Sequence, residues 1–286
     1  MSNVITTPLS ERDRLLHYAS KSIVNFGLAF LEKDFRPKTT SPFMFDMAIE
    51  MGRRGVGIKP LVNMIPRGHV KTTLTRAMIL QDFLMAEQME WGYIPESSFY
   101  IWVAESEGQS ELNLLSVKDA LENNELIRYY FGDQVNRRKW STDTIQLRNG
   151  SGLMIKSNTS GIRGLNYLGR RPDIIIADDI ESENNTKTPE ARDRNARLVT
   201  ATLIPATNAE TGLVIINNTP VHHDCFVMRV TDGYNKAQRE NRDYPWRLFY
   251  RTTSIENPLW PEYMGKAALT RKKAQLEEAG QIASWY

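Results

Sequence analysis

Apolar positions between residues 10 and 33 recur at helical spacing, through Leu15, Leu16, Ala19, Ile23, Phe26 and Leu31. The spacing predicts a helix with one buried face, and Ser10 is placed to cap it. The stretch RPKTTSP breaks that helix, a second short one is predicted over 43–51, and GRRGVG is a glycine-punctuated turn. Beyond residue 60 the pattern alternates between two periods. LVNMI reads as a strand and 72–87 as a helix; SFYIWVA, at 98–104, reads as a buried strand and 108–129 as a helix. TIQLRNGSGLMIKS carries two alternating runs around Asn149 and Gly150, the pattern of a hairpin. DIIIADD and GLVIINN are apolar on both faces, with a helix predicted between them over 189–203. From residue 244 the aromatic and proline-rich run YPWRLFYRTTSIENPLWPEYM takes over, and a charged helix is predicted over 266–280.

Strands that alternate with helices and are apolar on both faces belong to a mostly parallel sheet covered on both sides, an α/β fold. The predicted organisation is an N-terminal helical segment over 1–40, a core over 41–240 and a small C-terminal linker or lid subdomain over 241–286. The 286 residues suffice for one large domain with such an addition, and 41% hydrophobic with 24% charged residues is ordinary for a globular chain. A net charge of +2 neither announces nor excludes a nucleic-acid partner. The single cysteine, Cys225, excludes an internal disulfide and fits a reducing compartment. No apolar run is long enough for a membrane span and no secretory signal opens the chain, so a cytoplasmic location is expected.

The chemistry is concentrated in three stretches. IPRGHVKTTL has the layout of a phosphate-binding loop: a strand, a short turn, then Lys71 and Thr72 opening a helix. In such a loop backbone amides curl around phosphates, a lysine neutralises charge and a hydroxyl faces magnesium. The usual glycines are missing, since Ile65 and Val70 hold their places and only Gly68 offers a permissive backbone. Val70 is the difficulty, because a β-branched residue disfavours positive φ. Taken alone, RGHVKT is equally well read as a basic turn before an amphipathic helix. The second stretch, RPDIIIADDIESE, places Asp178 and Asp179 at the end of a buried strand with Glu181 close behind. Nucleotide hydrolysis needs one such carboxylate for magnesium and another to activate water, and strand carboxyl ends are where open α/β sheets bind ligands. The third, GLVIINNTP, puts Asn218 and Thr219 at the same edge, able to sense a γ-phosphate.

With these stretches in hand, the sequence from about 41 to 286 resembles the ATPase domain of the large terminase subunit of tailed bacteriophages, a DNA-packaging motor. The resemblance implies a P-loop NTPase fold of the RecA-like, additional-strand type. PRGHVKTT is similar to that family's deviant Walker A loop, which often carries an arginine in a short turn before the lysine, so the missing glycines are expected. It implies that Pro66, Arg67, Gly68, His69, Val70, Lys71, Thr72 and Thr73 form the nucleotide loop. Lys71 and Thr72 would bind phosphate and magnesium, and Asp178 would be the Walker B magnesium residue. Asp179 matches the catalytic carboxylate, with Glu181 as the alternative between which the sequence does not choose. Thr219 would sit in the coupling motif. The positive charge at the transferring phosphoryl group would come from Arg67 in cis or from Arg163 in trans, the latter within SGIRGLNYLGRRPD.

The cofactors implied are ATP and Mg2+. The partners implied are double-stranded DNA, a portal protein and the small terminase subunit, with the chain in a homo-oligomeric ring at the procapsid portal, possible as a monomer in solution, in the cytoplasm of an infected bacterial host and with no membrane. No RNase H-type nuclease domain is found in the sequence, so an isolated motor domain or nuclease-free relative is expected. Further DNA candidates are Arg53, Arg54, Arg170, Arg171 and the run Arg137, Arg138, Lys139. His222, His223 and Asp224 form a tempting metal trio, but neighbouring side chains diverge and a surface or capping role is expected. Two competing readings stand beside the motor: a helicase-like DNA-dependent ATPase, and a nucleotide-responsive assembly protein with little turnover. Val70 and the lack of a glutamate directly after Asp178 support the second.

Overall fold

The structure, a computed structural model, describes residues 10–35, 40–88, 97–158 and 169–280. Three short helices, α1 (Glu11–Ser20), α2 (Ile23–Phe30) and α3 (Glu32–Phe35), stand where one long helix was expected. Ser10 caps the first by accepting from the Asp13 amide at 3.1 Å, and Ser22 caps the second through Asn25. Then follow α4 (Pro42–Gly52), β1 (Leu61–Met64), α5 (Lys71–Met85), β2 (Phe99–Ala104), α6 (Glu107–Asn123) and α7 (Glu125–Phe131). The helix predicted over 108–129 divides at Asn124, whose side chain accepts from the Ile127 amide at 3.0 Å and starts a new helix. The chain continues through β3 (Val135–Trp140), β4 (Thr144–Leu147), β5 (Gly152–Ser157), β6 (Ile174–Asp178) and α8 (Pro189–Arg197), which runs through a π-helical stretch, Leu198–Leu203, into α9 (Ile204–Ala206). The last elements are β7 (Leu213–Asn218), α10 (Phe226–Arg239), β8 (Arg247–Tyr250), α11 (Pro261–Met264) and α12 (Lys266–Glu278).

Among the described residues the strands form one sheet in the order β3-β4-β5-β2-β6-β7-β1-β8. From β5 to β8 every pairing is parallel. The predicted hairpin joins β4 to β5 antiparallel, with Ile145 opposite Leu153, and β3 adds a second antiparallel strand outside it. Gly150, at φ 91°, takes the left-handed turn between the hairpin's strands. The sheet reaches beyond residue 240, the boundary expected for the core, because β8 pairs with β1 from Leu61–Arg247 to Met64–Tyr250.

Successive side chains of a strand point to opposite faces, and here both faces are dry. Leu61, Tyr100, Trp102, Ile174, Ile176 and Ile215 pack under α2, α4, α5 and α6. Val62, Ile101, Val103, Ile175, Ala177 and Ile216 pack with Val199, Leu203, Phe226 and Val230 on the other side. The helical N-terminus belongs to the first of these cores, and Gln81 of α5 donates to the carbonyls of Ala19 and Ser22 at 2.8 and 3.1 Å. Among the described residues no helix is long and apolar enough to cross a membrane.

Candidate nucleotide site

The parallel strands end together at one edge of the sheet, and β1, β6 and β7 bring the three motif stretches to it. Residues 65–70 turn out of β1 and deliver Lys71 as the first residue of α5. Two residues of that turn have positive φ, Gly68 at 79° and Val70 at 58°. Val70 therefore adopts the left-handed conformation that a glycine would take freely, at a cost of about 1–3 kcal/mol. The fold around it carries that strain, since the valine side chain packs against the core beneath α4 and α5.

Lys71 is 5% exposed, and its ammonium donates to Thr219 Oγ1 at 2.8 Å and to the loop carbonyls of Ile65 at 3.2 Å and Pro66 at 3.4 Å. Asp179 lies 4.0 Å away. Burial lowers the lysine's pKa, and the carboxylates of Asp179 and Asp178 work against that shift. Thr72 donates from Oγ1 to Asp178 Oδ2 at 2.8 Å, while Asp178 Oδ1 is buried without a hydrogen-bond partner. Buried polar atoms are seldom left so. A hydroxyl and a free carboxylate oxygen on adjoining elements are hard oxygen donors of the kind magnesium takes, with its other positions left to water and phosphate. The residues present thus fit that ion.

Burial, and then the neighbouring charge of Asp179, raise the Asp178 carboxyl from 3.8 to about 7. Between those values the folded chain holds a proton that the unfolded chain releases, so this group's contribution to stability falls as pH rises through that window. Asp178→Asn is accordingly expected to raise the unfolding midpoint at about pH 8 and to leave it nearly unchanged at about pH 4. Thermal scans of both proteins at the two pH values check this; equal midpoints at both would show that the carboxylate is not strained.

The two acidic candidates part company. Asp179, at φ 47°, is held by its amide, which donates to the Asn217 carbonyl at 2.8 Å, and its side chain is 54% exposed toward Lys71. Glu181 is 3% exposed and points away from the loop lysine's contacts into the start of α10, accepting from the amides of Phe226 at 2.8 Å and Val227 at 3.4 Å. Burial raises its pKa, and those amide bonds oppose the rise. A carboxylate at a helix N-terminus satisfies orphan amides and meets the helix dipole favourably. Glu181→Ala is expected to cost about 1–3 kcal/mol of stability, and Glu181→Gln less, as chemical denaturation of the two variants will show.

Behind these residues runs a buried amide network that the apolar strand patterns concealed. Asn63 donates to Asn217 at 2.8 Å, and Asn217 donates to Thr75 of α5 at 2.8 Å. Asn218 accepts from the Glu181 amide at 3.2 Å and donates to the Thr219 carbonyl at 2.8 Å. The signal was present in LVNM and IINN: asparagine inside a fully buried strand needs partners, and the partners fix strand ends against the loop helix.

Pro66 is half-buried and Arg67 exposed, while Thr73 is half-buried on the first turn of α5. His69, within the implied nucleotide loop, is a packing residue at 1% exposure. Arg163 lies outside the described residues. Arg54 is not an exposed DNA contact. It is buried against Asp82 at 3.0 Å, and Tyr100 donates to the same carboxylate. Arg53 pairs with Glu50 at 3.1 Å. Arg170 is tied to Ser97 and Asp173, and Arg171 donates to the Pro205 carbonyl. Arg137 and Arg138 lie exposed on β3. Asp224 is shared by Arg192 and Arg229, whose guanidinium groups hold its carboxyl well below the usual range, and its amide donates to His222 Nδ1. That leaves the trio no spare carboxylate.

No family model and no curated protein matches the chain. Among solved structures, the chain is similar to the large terminase of bacteriophage HK97, at 14% identity and a TM-score of 0.56, over 97% of this chain and 55% of that one. It thus spans about half the length of that protein. It is also similar to the large terminase ATPase domain of Thermus phage P74-26, at 12% identity and a TM-score of 0.50, over 86% of this chain and 93% of that one. The likeness is one of fold, an α/β P-loop NTPase-like architecture.

Proposed function

We propose that this chain is the ATP-hydrolysing motor domain of a viral DNA-packaging machine. The observation that carries the reading is the meeting of Lys71, Thr72, Asp178, Asp179 and Thr219 at one sheet edge, with one buried carboxylate oxygen left free. The match in fold to large terminases supports the packaging half of the reading.

In this reading the amides of residues 68–72 and the Lys71 ammonium bind the β- and γ-phosphates of ATP. Lys71 exchanges its contacts with Thr219 and the loop carbonyls for phosphate oxygens. Thr72 and Asp178 would hold Mg2+, which would supply neutralisation of phosphate charge and polarisation of the bond that breaks. Asp179 orients the attacking water and takes its proton. Arg67, exposed in the loop, or Arg163 stabilises charge on the transferring group. Thr219, released by Lys71, reports the state of the site to Asn218 and, through the Glu181 backbone, to α10. Glu181 serves as the cap of α10 and not as the catalyst. Double-stranded DNA, a portal protein and a small terminase subunit are the partners, and a ring of copies at the portal, in the host cytoplasm, is the working form.

Against the assembly-protein alternative, Val70 takes the glycine-like conformation and Asp179 faces the loop lysine, which supports the motor reading. The test is phosphate release from Mg·ATP with and without double-stranded DNA. Turnover stimulated by duplex DNA without strand separation supports the motor. Strand separation would give the helicase reading, and nucleotide binding without turnover the assembly reading.

A further inference from the structure

The phosphate loop of this chain keeps its shape with one glycine where two are usual, so something other than backbone freedom must hold it. We infer that His69, Trp260 and Met264 are positioning residues for the loop, acting through its backbone. His69 is 1% exposed, and its Nδ1 lies 3.0 Å from the Arg67 carbonyl, pinning the ring across the turn. The ring lies 5.9 Å from Phe43 and 6.3 Å from Trp260, which meet each other edge to face at 6.0 Å. Trp260 is fully buried, and its ring lies tilted at 4.6 Å from that of Tyr263. Beside it, Met264 Cε stands 3.4 Å from where a side chain on Gly68 would begin. Ser41 donates to the Leu259 carbonyl at 3.3 Å, fastening the start of α4 to the segment that carries Trp260.

Three segments far apart in sequence thus form an aromatic cradle around residues 68 and 69. The His69 Nε2 is buried without a partner, so the ring is held by the Nδ1 contact and by its aromatic neighbours. The cradle lies against Gly68, and His69 stands between the two positive-φ positions, Gly68 and Val70. Amides already aimed bind phosphate with less ordering cost, so loosening the cradle weakens binding without touching a ligand contact.

The affinity part of this inference rests on the nucleotide reading above; the shape of the loop does not. Mg·ADP binding by calorimetry and amide hydrogen exchange over residues 65–72 are to be measured on the whole chain, in parallel. The variants are Trp260→Leu, Trp260→Phe and, as a control, Phe83→Leu, which truncates a buried ring packed on Tyr100 in the same core. Trp260→Leu is expected to weaken ADP binding about tenfold and to speed exchange in the loop, the scale of one lost interaction of about 1.4 kcal/mol. Trp260→Phe is expected to restore most of both, and Phe83→Leu, at similar loss of melting temperature, to change neither. Should Trp260→Leu fail to fold, Met264→Ala, at a half-buried position, carries the same comparison. Equal loop exchange in Trp260→Leu and Phe83→Leu overturns the inference whether or not ADP binds. Failure of the native chain to bind ADP, with the loop exchange difference intact, overturns the nucleotide reading alone.

Discussion

Asp179→Asn is expected to lower ATP turnover by a factor of about 100 to 10,000, the range for losing a general base, with nucleotide affinity nearly kept. Asparagine is the right replacement because the position has φ 47°, which asparagine tolerates better than most residues. The amide that donates to the Asn217 carbonyl is unaffected, so the side chain loses its charge and little else. Glu181→Gln serves as the comparison. Its amide side chain can still accept from Phe226, and turnover should fall by much less than in Asp179→Asn. Steady-state phosphate release on both variants decides the matter: the reverse order would give the catalytic role to Glu181 and require its carboxylate to leave α10.

Lys71→Met should abolish turnover and weaken Mg·ATP binding by about 100-fold or more, since charge-assisted hydrogen bonds to two phosphates are lost together. Stability should move little. The ammonium is buried at a cost, and methionine fills the same stem volume without asking for three hydrogen-bond acceptors. The carbonyls of Ile65 and Pro66 and the Thr219 hydroxyl lose a donor, which offsets part of that gain. Calorimetric titration with ATP and a melting scan measure the two effects separately. Binding that survives the substitution would remove residues 65–72 from the nucleotide site.

Much of this was written in local pattern. LVNM, FYIWVA, IIIAD and LVIINN are legible as strands because a parallel sheet covered on both faces buries every residue of them. VNRRKW was not, because β3 is an edge strand whose middle faces water and whose composition is that of a basic loop. RLFY was hidden among aromatics and prolines, and only its pairing with β1 makes it a strand. At the site, Lys71, Thr72, Asp178, Asp179 and Thr219 were each visible from residue type and position in a motif. The separate fates of Asp179 and Glu181 were not, since they turn on where α10 begins relative to β6, a distance no local pattern encodes. His69 looked like any loop histidine, and its burial depends on Trp260, which follows almost at the other end of the chain.

The placement of β1 between β7 and β8 has a bearing on how the chain is made. Both neighbours of the strand that leads to Lys71 lie in the last third of the sequence, so that strand has no partner while the first two thirds emerge from the ribosome. Pairings this distant close slowly, and an unpaired apolar strand is open to wrong associations meanwhile. Lys71 finds Thr219 only after residue 218 has been synthesised and docked. A chain released early, or stalled before β7, would carry the loop lysine without the site around it, and nucleotide would have nothing ordered to bind. On the proposed reading, occupancy by nucleotide would stabilise only those molecules in which translation has run past Thr219.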